Sequence, residues 1–250
     1  LTPPGAPPED KVEAELVQVK GAPGEPDTFY MDVQSVTCGD HRCKPVTVRL
    51  FWDELGFYRR YVVASDFVLE KGDGEPFTAE DLEKLDRVIA RRESGLRTVK
   101  FSNVADYQSP GGDVDAVTAP TVPLDLRDYV KGAFWTSYTL WHWANGEVPV
   151  IIRNLTGKAR SLDQLRHELL TGDREHRLFA LEQLQTRRAT DPESLEAAVR
   201  GAASGDYELR KSLLAYVELL DADAYYATLE RLMREGDADL RRLCLDSMKR

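Results

Sequence analysis

Apolar and polar residues alternate along the first part of the chain, with the period of two that is typical of strands with one buried face. The alternation covers residues 11–20, 29–37 and 46–53. Segment 54–64 contains a glycine near its start, where a turn is expected, and then continues with the aromatic and β-branched residues of a strand. The pattern therefore predicts strands over these segments and a β-hairpin over 46–64.

The pattern changes to a helical period in segment 76–92. Thr78 stands where an N-cap is expected, and Asp81 follows three residues later, which is the spacing of a capping box. An apolar face then recurs at helical intervals, formed by Leu82, Leu85, Val88 and Ile89. The sequence predicts a helix here.

Segment 102–124 is rich in Ser, Gly, Pro and Asp and is predicted to be a loop. A second helix is predicted from about Leu124 to residue 146. It carries two stripes, one of Leu126, Val130, Ala133, Phe134, Ser137, Trp141 and Ala144, and one of Trp135, Tyr138 and His142. A helix that is apolar on two sides is usually buried between layers. Residues 149–155 are predicted to add a final strand, so that an α+β domain occupies residues 11–158.

From residue 161 onwards the pattern predicts helices separated by turns and no strands. Three segments repeat: TGDREHR at 171–177, SGDYELR at 204–210 and EGDADLR at 235–241. Each contains Gly-Asp and an arginine four residues after the aspartate, and an apolar helical segment stands on either side. The aspartates are expected to cap helices, and Arg177, Arg210 and Arg241 to bond acids or carbonyls within the helical region. Helix pairs at this period stack into solenoids, and the pattern resembles HEAT-like repeats over 161–250.

Composition limits the classes of partner. The 250 residues carry a net charge of −10, which argues against nucleic acid and against an anionic membrane surface as general partners. Residues 1–10 are rich in proline and are expected to be a flexible linker after a removed leader. Contact with a membrane is therefore expected only through such a leader or a lipid anchor.

Two of the three cysteines, Cys38 and Cys43, lie five residues apart with His41 between them. A disulfide is the favoured interpretation, ahead of a metal site, which would need further ligands, and ahead of two free thiols. A disulfide implies an oxidising, periplasmic or otherwise extracytoplasmic compartment. Cys244 lies in an apolar helical stripe and is expected to fill a core.

The loop before the aromatic helix contains DAVTAPT at 115–121. This segment resembles the D-x-x-[ST]-G-A-[ST] motif of FMN-binding domains, which occur in the flavin-carrying subunits of sodium-pumping NADH:quinone reductases and related electron-transport complexes. The resemblance implies that a flavin transferase attaches FMN through its phosphate to Thr121, with Asp115 and Thr118 as further motif residues. A wider resemblance, through the cysteine pair and the segments 49–61, 75–86 and 129–146, is to an extracytoplasmic branch of proteins similar to FMN-binding domains.

The same resemblance suggests how the ring and its phosphate would be held. A phosphate on Thr121 would lie near the amides of a following helix N-terminus, and Trp135, Tyr138 and Trp141 would provide aromatic walls for the isoalloxazine ring. This sequence departs from the motif at Ala119 and Pro120, where the family has Gly and Ala. The alternative for Thr121 is a helix cap, and the alternative for the aromatic residues is core packing.

No Ser-His-Asp signature, P-loop or HExxH motif is present, and no catalytic residue is assigned. His142 is interpreted as a hydrogen-bonded core histidine. Two functional hypotheses follow: an electron carrier with FMN on Thr121, and a flavin-free scaffold that binds a protein partner through its helical repeats. A carrier or a binding module is favoured over an enzyme with its own substrate.

Overall fold

The computed structural model describes residues 1–4, 11–22, 25–39, 42–100 and 124–249, and the side chains of 36–39 and 42–44 lie outside that description. Within these residues the fold is mixed α+β, with a small antiparallel sheet and a helical region. The chain forms two compact units, Leu1–Arg153 and Asn154–Arg250.

The sheet has the strand order β1-β2-β3-β4, with β1 at Val17–Val19, β2 at Thr28–Gly39, β3 at Arg42–Asp53 and β4 at Tyr58–Val63. All neighbours are antiparallel. The predicted hairpin over 46–64 is confirmed as β3 and β4, with Gly56 in the turn at φ +79°. The first strand is shorter than predicted, since it occupies only three residues of segment 11–20.

The alternation in the sequence places one face of the sheet in the core. Phe29, Met31, Val48, Leu50 and Trp52 are fully buried on that face. The Trp52 indole N–H donates to the Ala144 carbonyl at 3.0 Å, so the largest core side chain on the sheet has its polar atom satisfied.

Helix α1, Ala79–Ala90, follows the prediction for segment 76–92 closely. Thr78 is the N-cap and forms the predicted capping box with Asp81. Leu85, Val88 and Ile89 are buried. The prediction is confirmed to within three residues at each end.

The aromatic helix begins later than predicted. Residues Leu126–Asp128 form a short 3-10 turn, and helix α2 covers Phe134–Asn145. Gly132 lies between these two elements. Its φ of +76° is in the left-handed region that favours glycine, so the chain is not helical there. The prediction of a helix from about Leu124 was wrong by ten residues, although the prediction that α2 is buried on several sides is confirmed by its many buried positions.

Segment 149–155 was predicted to be a strand and is part of helix α3, Glu147–Ala159. Its buried positions Val148, Ile152 and Thr156 recur every four residues, which is a helical and not a strand period. Pro149 is tolerated because it lies in the first turn, where no intrahelical partner is lost. The division between the two compact units falls between residues 153 and 154, inside this helix.

The second unit continues with α4 at Leu162–Thr171, α5 at Arg174–Thr186, α6 at Pro192–Ala202, α7 at Tyr207–Val217, α8 at Ala222–Glu235 and α9 at Ala238–Ser247. Each helix packs on its neighbour in the chain or on the next but one: α4 contacts α5 and α6, α5 contacts α7, and α7 contacts α9. These contacts give two rows, α4 and α6 in one and α5, α7 and α9 in the other, and α8 packs on α9. Among the described residues, no helix has the length and apolar content needed to cross a bilayer.

Candidate functional site

Three of the five predicted flavin-binding residues, Asp115, Thr118 and Thr121, lie outside the described residues. The other two lie on the first half of α2. Trp135 is half-buried, and Tyr138 is only 4% exposed, with its hydroxyl donating to the Val99 carbonyl at 3.4 Å. Burial raises the pKa of Tyr138. Tyr138 is therefore a core residue and does not present an exposed wall.

Trp141 was also predicted to flank a ring, and it is 3% exposed. Its indole N–H donates to the Arg91 carbonyl at 2.8 Å, at the C-terminal end of α1. This bond fixes α2 against α1. Core packing, the alternative for these aromatic residues, describes Trp141 and Tyr138 in the structure.

The aromatic residues belong to a small hydrophobic cluster of the first unit. Its buried members are Val88, Leu96, Val99, Phe134, Tyr138 and Trp141. Leu124, Tyr129 and Trp135 are partly buried and pack against it. We call these nine residues the aromatic cluster. Leu124, which stands three residues after Thr121 in the sequence, thus packs in this cluster.

The helix that was expected to begin near Leu124, directly after Thr121, begins later, and Thr121 itself lies outside the described residues. Helix α2 begins at Phe134, thirteen residues after Thr121, and its N-cap Ala133 has no side-chain cap bond. The N-terminal amides of α2 therefore do not follow the motif directly, so the helix start gives no support to a phosphate on Thr121.

His142 lies on α2 beside Tyr138, with ring centroids 4.3 Å apart. Its Nε2 is 3.1 Å from the Leu96 carbonyl. Burial lowers the pKa of His142, and the bond to the Leu96 carbonyl opposes this shift only in part. His142 is therefore hydrogen-bonded, as interpreted from the sequence, but it is half-buried and not a fully buried core residue.

A basic pocket that sequence reasoning missed lies on the outer side of α1. It has a volume of about 570 Å³ and is lined by Lys84, Arg87, Arg91, Leu126 and Arg127. The first three follow one another at intervals of three and four residues, which places them on one stripe of α1. That spacing was the available signal. The missing information was that the 3-10 turn of Leu126–Asp128 lies against this stripe.

Two acids of the 3-10 turn hold two of these cations. Asp128 is 5% exposed and accepts hydrogen bonds from the Ser94 hydroxyl at 2.8 Å and from the Arg91 guanidinium at 3.3 Å. Asp125 caps the turn and accepts from Arg127 Nε at 2.8 Å. The hydrogen bonds from Arg127 lower the pKa of Asp125 to about 2, so this carboxylate is ionised at neutral pH.

The cysteine pair lies at the far end of the β2–β3 hairpin. The strand register places Cys38 opposite Cys43, one residue pair before the turn. Opposite residues of an antiparallel pair have Cα atoms about 4.5–5.5 Å apart, and disulfides require about 4.4–6.8 Å. The backbone is thus compatible with the predicted disulfide, while the two side chains lie outside the description. Among the described residues, no group of three or more His, Cys, Asp or Glu side chains is arranged to hold a metal ion.

The three repeated Gly-Asp segments of the helical unit form helix starts as predicted. Asp173, Asp206 and Asp237 are the N-caps of α5, α7 and α9, and each accepts from a backbone amide three residues later. Cys244 is fully buried in α9, which confirms the prediction that it fills a core, and burial raises its pKa.

The repeat arginines also bond as predicted. Arg177 donates to the Gly172 carbonyl at 2.8 Å and to the Gly201 carbonyl at 3.4 Å. Arg210 donates to both oxygens of Asp237 at 2.9 and 2.7 Å, and Arg241 donates to the Met233 carbonyl at 2.9 Å. All three arginines of the repeat therefore bond within the helical unit, and Arg210 joins α7 to the start of α9.

Sequence reasoning did not find the other two links of the same kind. Arg174 donates to Asp206, the N-cap of α7, and Arg166 donates to Asp191, the N-cap of α6, at 2.8 Å. With Arg210 and Asp237, these pairs form a series in which an arginine of one helix binds the capping aspartate of the next helix in its row. We call the three pairs the cap links.

The chain matches no protein-family model, and no characterised protein or solved structure is significantly similar to it. The case for a function therefore rests on the residues and the geometry described above.

Proposed function

We propose that this chain is an extracytoplasmic electron carrier, similar to FMN-binding domains, that holds FMN as a phosphoester on Thr121. The proposal starts from the motif at 115–121 and the wider resemblance along 37–146. The flavin would supply the redox chemistry, and the protein would bind and orient it. A carrier of this kind exchanges electrons with a protein partner, which the sequence does not identify.

One observation carries the proposal. Leu124 packs against the aromatic cluster, which contains Trp135 and Tyr138. Thr121 stands three residues before Leu124 in the sequence, and three residues of chain span at most about 11 Å. The proposal therefore attaches the FMN to a position that is near this cluster along the chain.

The residues fit a flavin in part. Trp135 is the member of the predicted wall that stays half-exposed, so it is the residue to contact an isoalloxazine ring. Tyr138 and Trp141 are buried members of the aromatic cluster, against which Trp135 packs. Asp115 and Thr118 belong to the motif, and their role is proposed from the resemblance alone.

The test is attachment of FMN. The full chain is expressed together with a flavin transferase, and its intact mass is measured. We expect one FMN per chain, and we expect Thr121→Ala to lose it while Thr171→Ala, a change of an exposed threonine of α4, keeps it. If the wild-type chain gains no mass while a known substrate of the same transferase is modified, the proposal is wrong.

A second function is favoured by the helical unit. The two rows of helices and the cap links have the form of stacked helix pairs, and we infer a HEAT-like scaffold that binds a protein partner. The test is crosslinking of the chain to its partners in cells. The crosslinked partners of the full chain are compared with those of a chain that ends after residue 160 and with those of Thr121→Ala. A partner that needs the helical unit and does not need Thr121 supports the scaffold. A partner that is retained by the shortened chain excludes it.

A further inference from the structure

We propose that the basic pocket is a non-covalent binding site for an organic phosphate. The residues that carry it are Lys84, Arg87, Arg91 and Arg127, together with the apolar Leu126. The site does not require FMN on Thr121, so this inference stands apart from the function proposed above.

The size of the pocket suits a small molecule. Ligand sites typically have volumes of about 300–1,000 Å³, and this pocket has about 570 Å³. One wall is the stripe of α1, and the opposite wall is the 3-10 turn of Leu126–Asp128. Both walls are held in place by the buried Asp128. Asp128 accepts hydrogen bonds from Ser94, four residues after the end of α1, and from Arg91.

The distribution of charge in the pocket favours an anion. The chain as a whole carries −10, yet four cations meet here. Asp128 and Asp125 balance Arg91 and Arg127. That leaves Lys84 and Arg87, with Glu83 as a distant partner of Arg87 at 3.8 Å, as a local positive excess that attracts an anion.

Lys84 and Arg87 also have donors to offer. Within the described part of the chain, Lys84 has no acid within ion-pair distance, and Arg87 has only Glu83 at 3.8 Å. The side chains of Arg87 and Glu83 are both about two-thirds or more exposed, so this contact contributes little and is easily exchanged. A phosphate between Lys84 and Arg87 would receive the charge-assisted hydrogen bonds that these groups lack.

An exposed leucine in a basic pocket distinguishes an organic phosphate from the inorganic ion. Leu126 is 68% exposed, although it stands next to Arg127 in a short structured turn. Contact with an apolar part of a ligand would remove this surface from water. The class that fits both features is a phosphate monoester with an apolar or aromatic body.

The experiment compares FMN with riboflavin, which differ by the phosphate group. Binding of each to the full chain, expressed without a flavin transferase, is measured by calorimetry, and inorganic phosphate is a third probe. We expect FMN to bind at least about tenfold more tightly than riboflavin, the factor that one lost charge-assisted hydrogen bond corresponds to. We also expect FMN affinity to fall as salt is added.

Variants assign the binding to this pocket. The double change Lys84→Gln and Arg87→Gln is expected to lower FMN affinity at least about tenfold. The control is Arg234→Gln with Arg242→Gln, which removes the same charge from exposed positions of the helical unit and should leave affinity unchanged. Leu126→Ser is expected to weaken FMN and leave inorganic phosphate unaffected.

The outcomes separate the two proposals. Thr121→Ala should bind free FMN like the wild type, and a chain that binds FMN in this way but never acquires it covalently would support the pocket and refute the carrier. Equal affinity for FMN and riboflavin, no binding of FMN at all, or an equal loss in the control variant would overturn the pocket. Tighter binding of inorganic phosphate than of FMN would overturn the role of Leu126.

Discussion

The cap link between Arg166 and Asp191 gives the sharpest test of how the helical unit is stabilised. Arg166 lies on α4 and is 22% exposed at its side chain. It donates to Asp191 at 2.8 Å and to the Ser194 hydroxyl at 3.0 Å, both at the start of α6. Its third bond, to Asp163, involves a carboxylate that is 88% exposed and contributes little.

Arg166→Ala should therefore lower the free energy of unfolding of the helical unit. One charge-assisted hydrogen bond contributes about 1.5–3 kcal/mol, and the exposure of about a third of the Asp191 side chain reduces this to about 1–2 kcal/mol. For a unit of this size that corresponds to a fall in Tm of roughly 5–10 °C. The control is Arg242→Ala, an exposed arginine of α9, which should stay within about 0.5 kcal/mol of the wild type.

The chain provides an internal reference for this measurement. Its four tryptophans, Trp52, Trp135, Trp141 and Trp143, all lie in the first unit. Tryptophan fluorescence therefore follows the first unit during urea unfolding, while far-UV circular dichroism reports mainly on the helices. We expect Arg166→Ala to shift the dichroism transition and to leave the fluorescence transition in place.

Acid adds a second check on the same link. Burial alone would raise the pKa of Asp191, but hydrogen bonds from the Ser194 amide and hydroxyl and the charge of Arg166 outweigh it and lower the pKa to about 2, from 3.8. Because the pKa of Asp191 is lower in the folded state, its ionised carboxylate stabilises the fold at pH values above 3.8. This stabilisation is lost as the pH falls from 3.8 towards 2. The gap between wild type and Arg166→Ala should narrow over that range. A variant equal in stability to Arg242→Ala, or a gap that stays constant with pH, would refute the reasoning.

Three further predictions concern the rest of the chain. Non-reducing mass mapping of protein secreted to the periplasm should find Cys38 joined to Cys43, and two free thiols there would exclude the disulfide. A chain that ends after residue 160 should keep a cooperative fluorescence transition, because the sheet and its core lie before that point; a molten fragment would show that the first unit is incomplete without the helices. Arg210→Ala should lower the Tm of the helices, since it breaks the two bonds to Asp237, and should leave FMN attachment or binding unchanged. A change in flavin signal would contradict a purely structural role.

The sequence predicted those elements whose pattern and end signals agree. Helix α1 has both an apolar face and the Thr78–Asp81 capping box, and the Gly-Asp segments place an aspartate at each helix start. In segment 149–155 the residue pattern was not accompanied by a matching signal for the start or end of an element. Its β-branched residues favour a strand, but the helical penalty for such residues is small, and burial of Val148 and Ile152 outweighs it.

The candidate sites were less predictable because they depend on contacts between distant segments. The run from Leu124 to Phe134 was interpreted as one helix, whereas the chain first forms a 3-10 turn and Gly132 then delays the helix. The basic pocket requires that turn to meet α1, more than thirty residues earlier. Spacing along the chain reveals the stripe of Lys84, Arg87 and Arg91, but it does not reveal what lies opposite.

In each cap link one carboxylate both caps a helix and accepts a hydrogen bond from an arginine. Asp206 starts α7 and at the same time receives Arg174 of α5, and Asp237 does the same for α9 and Arg210. Melting of one helix start therefore releases the arginine of the helix before it, so that local opening spreads along the row. Backbone amides of α5, α7 and α9 should then exchange with solvent deuterium as one cooperative group. The three helices should show similar protection factors, and these factors should not decrease from one helix to the next towards the end of the row.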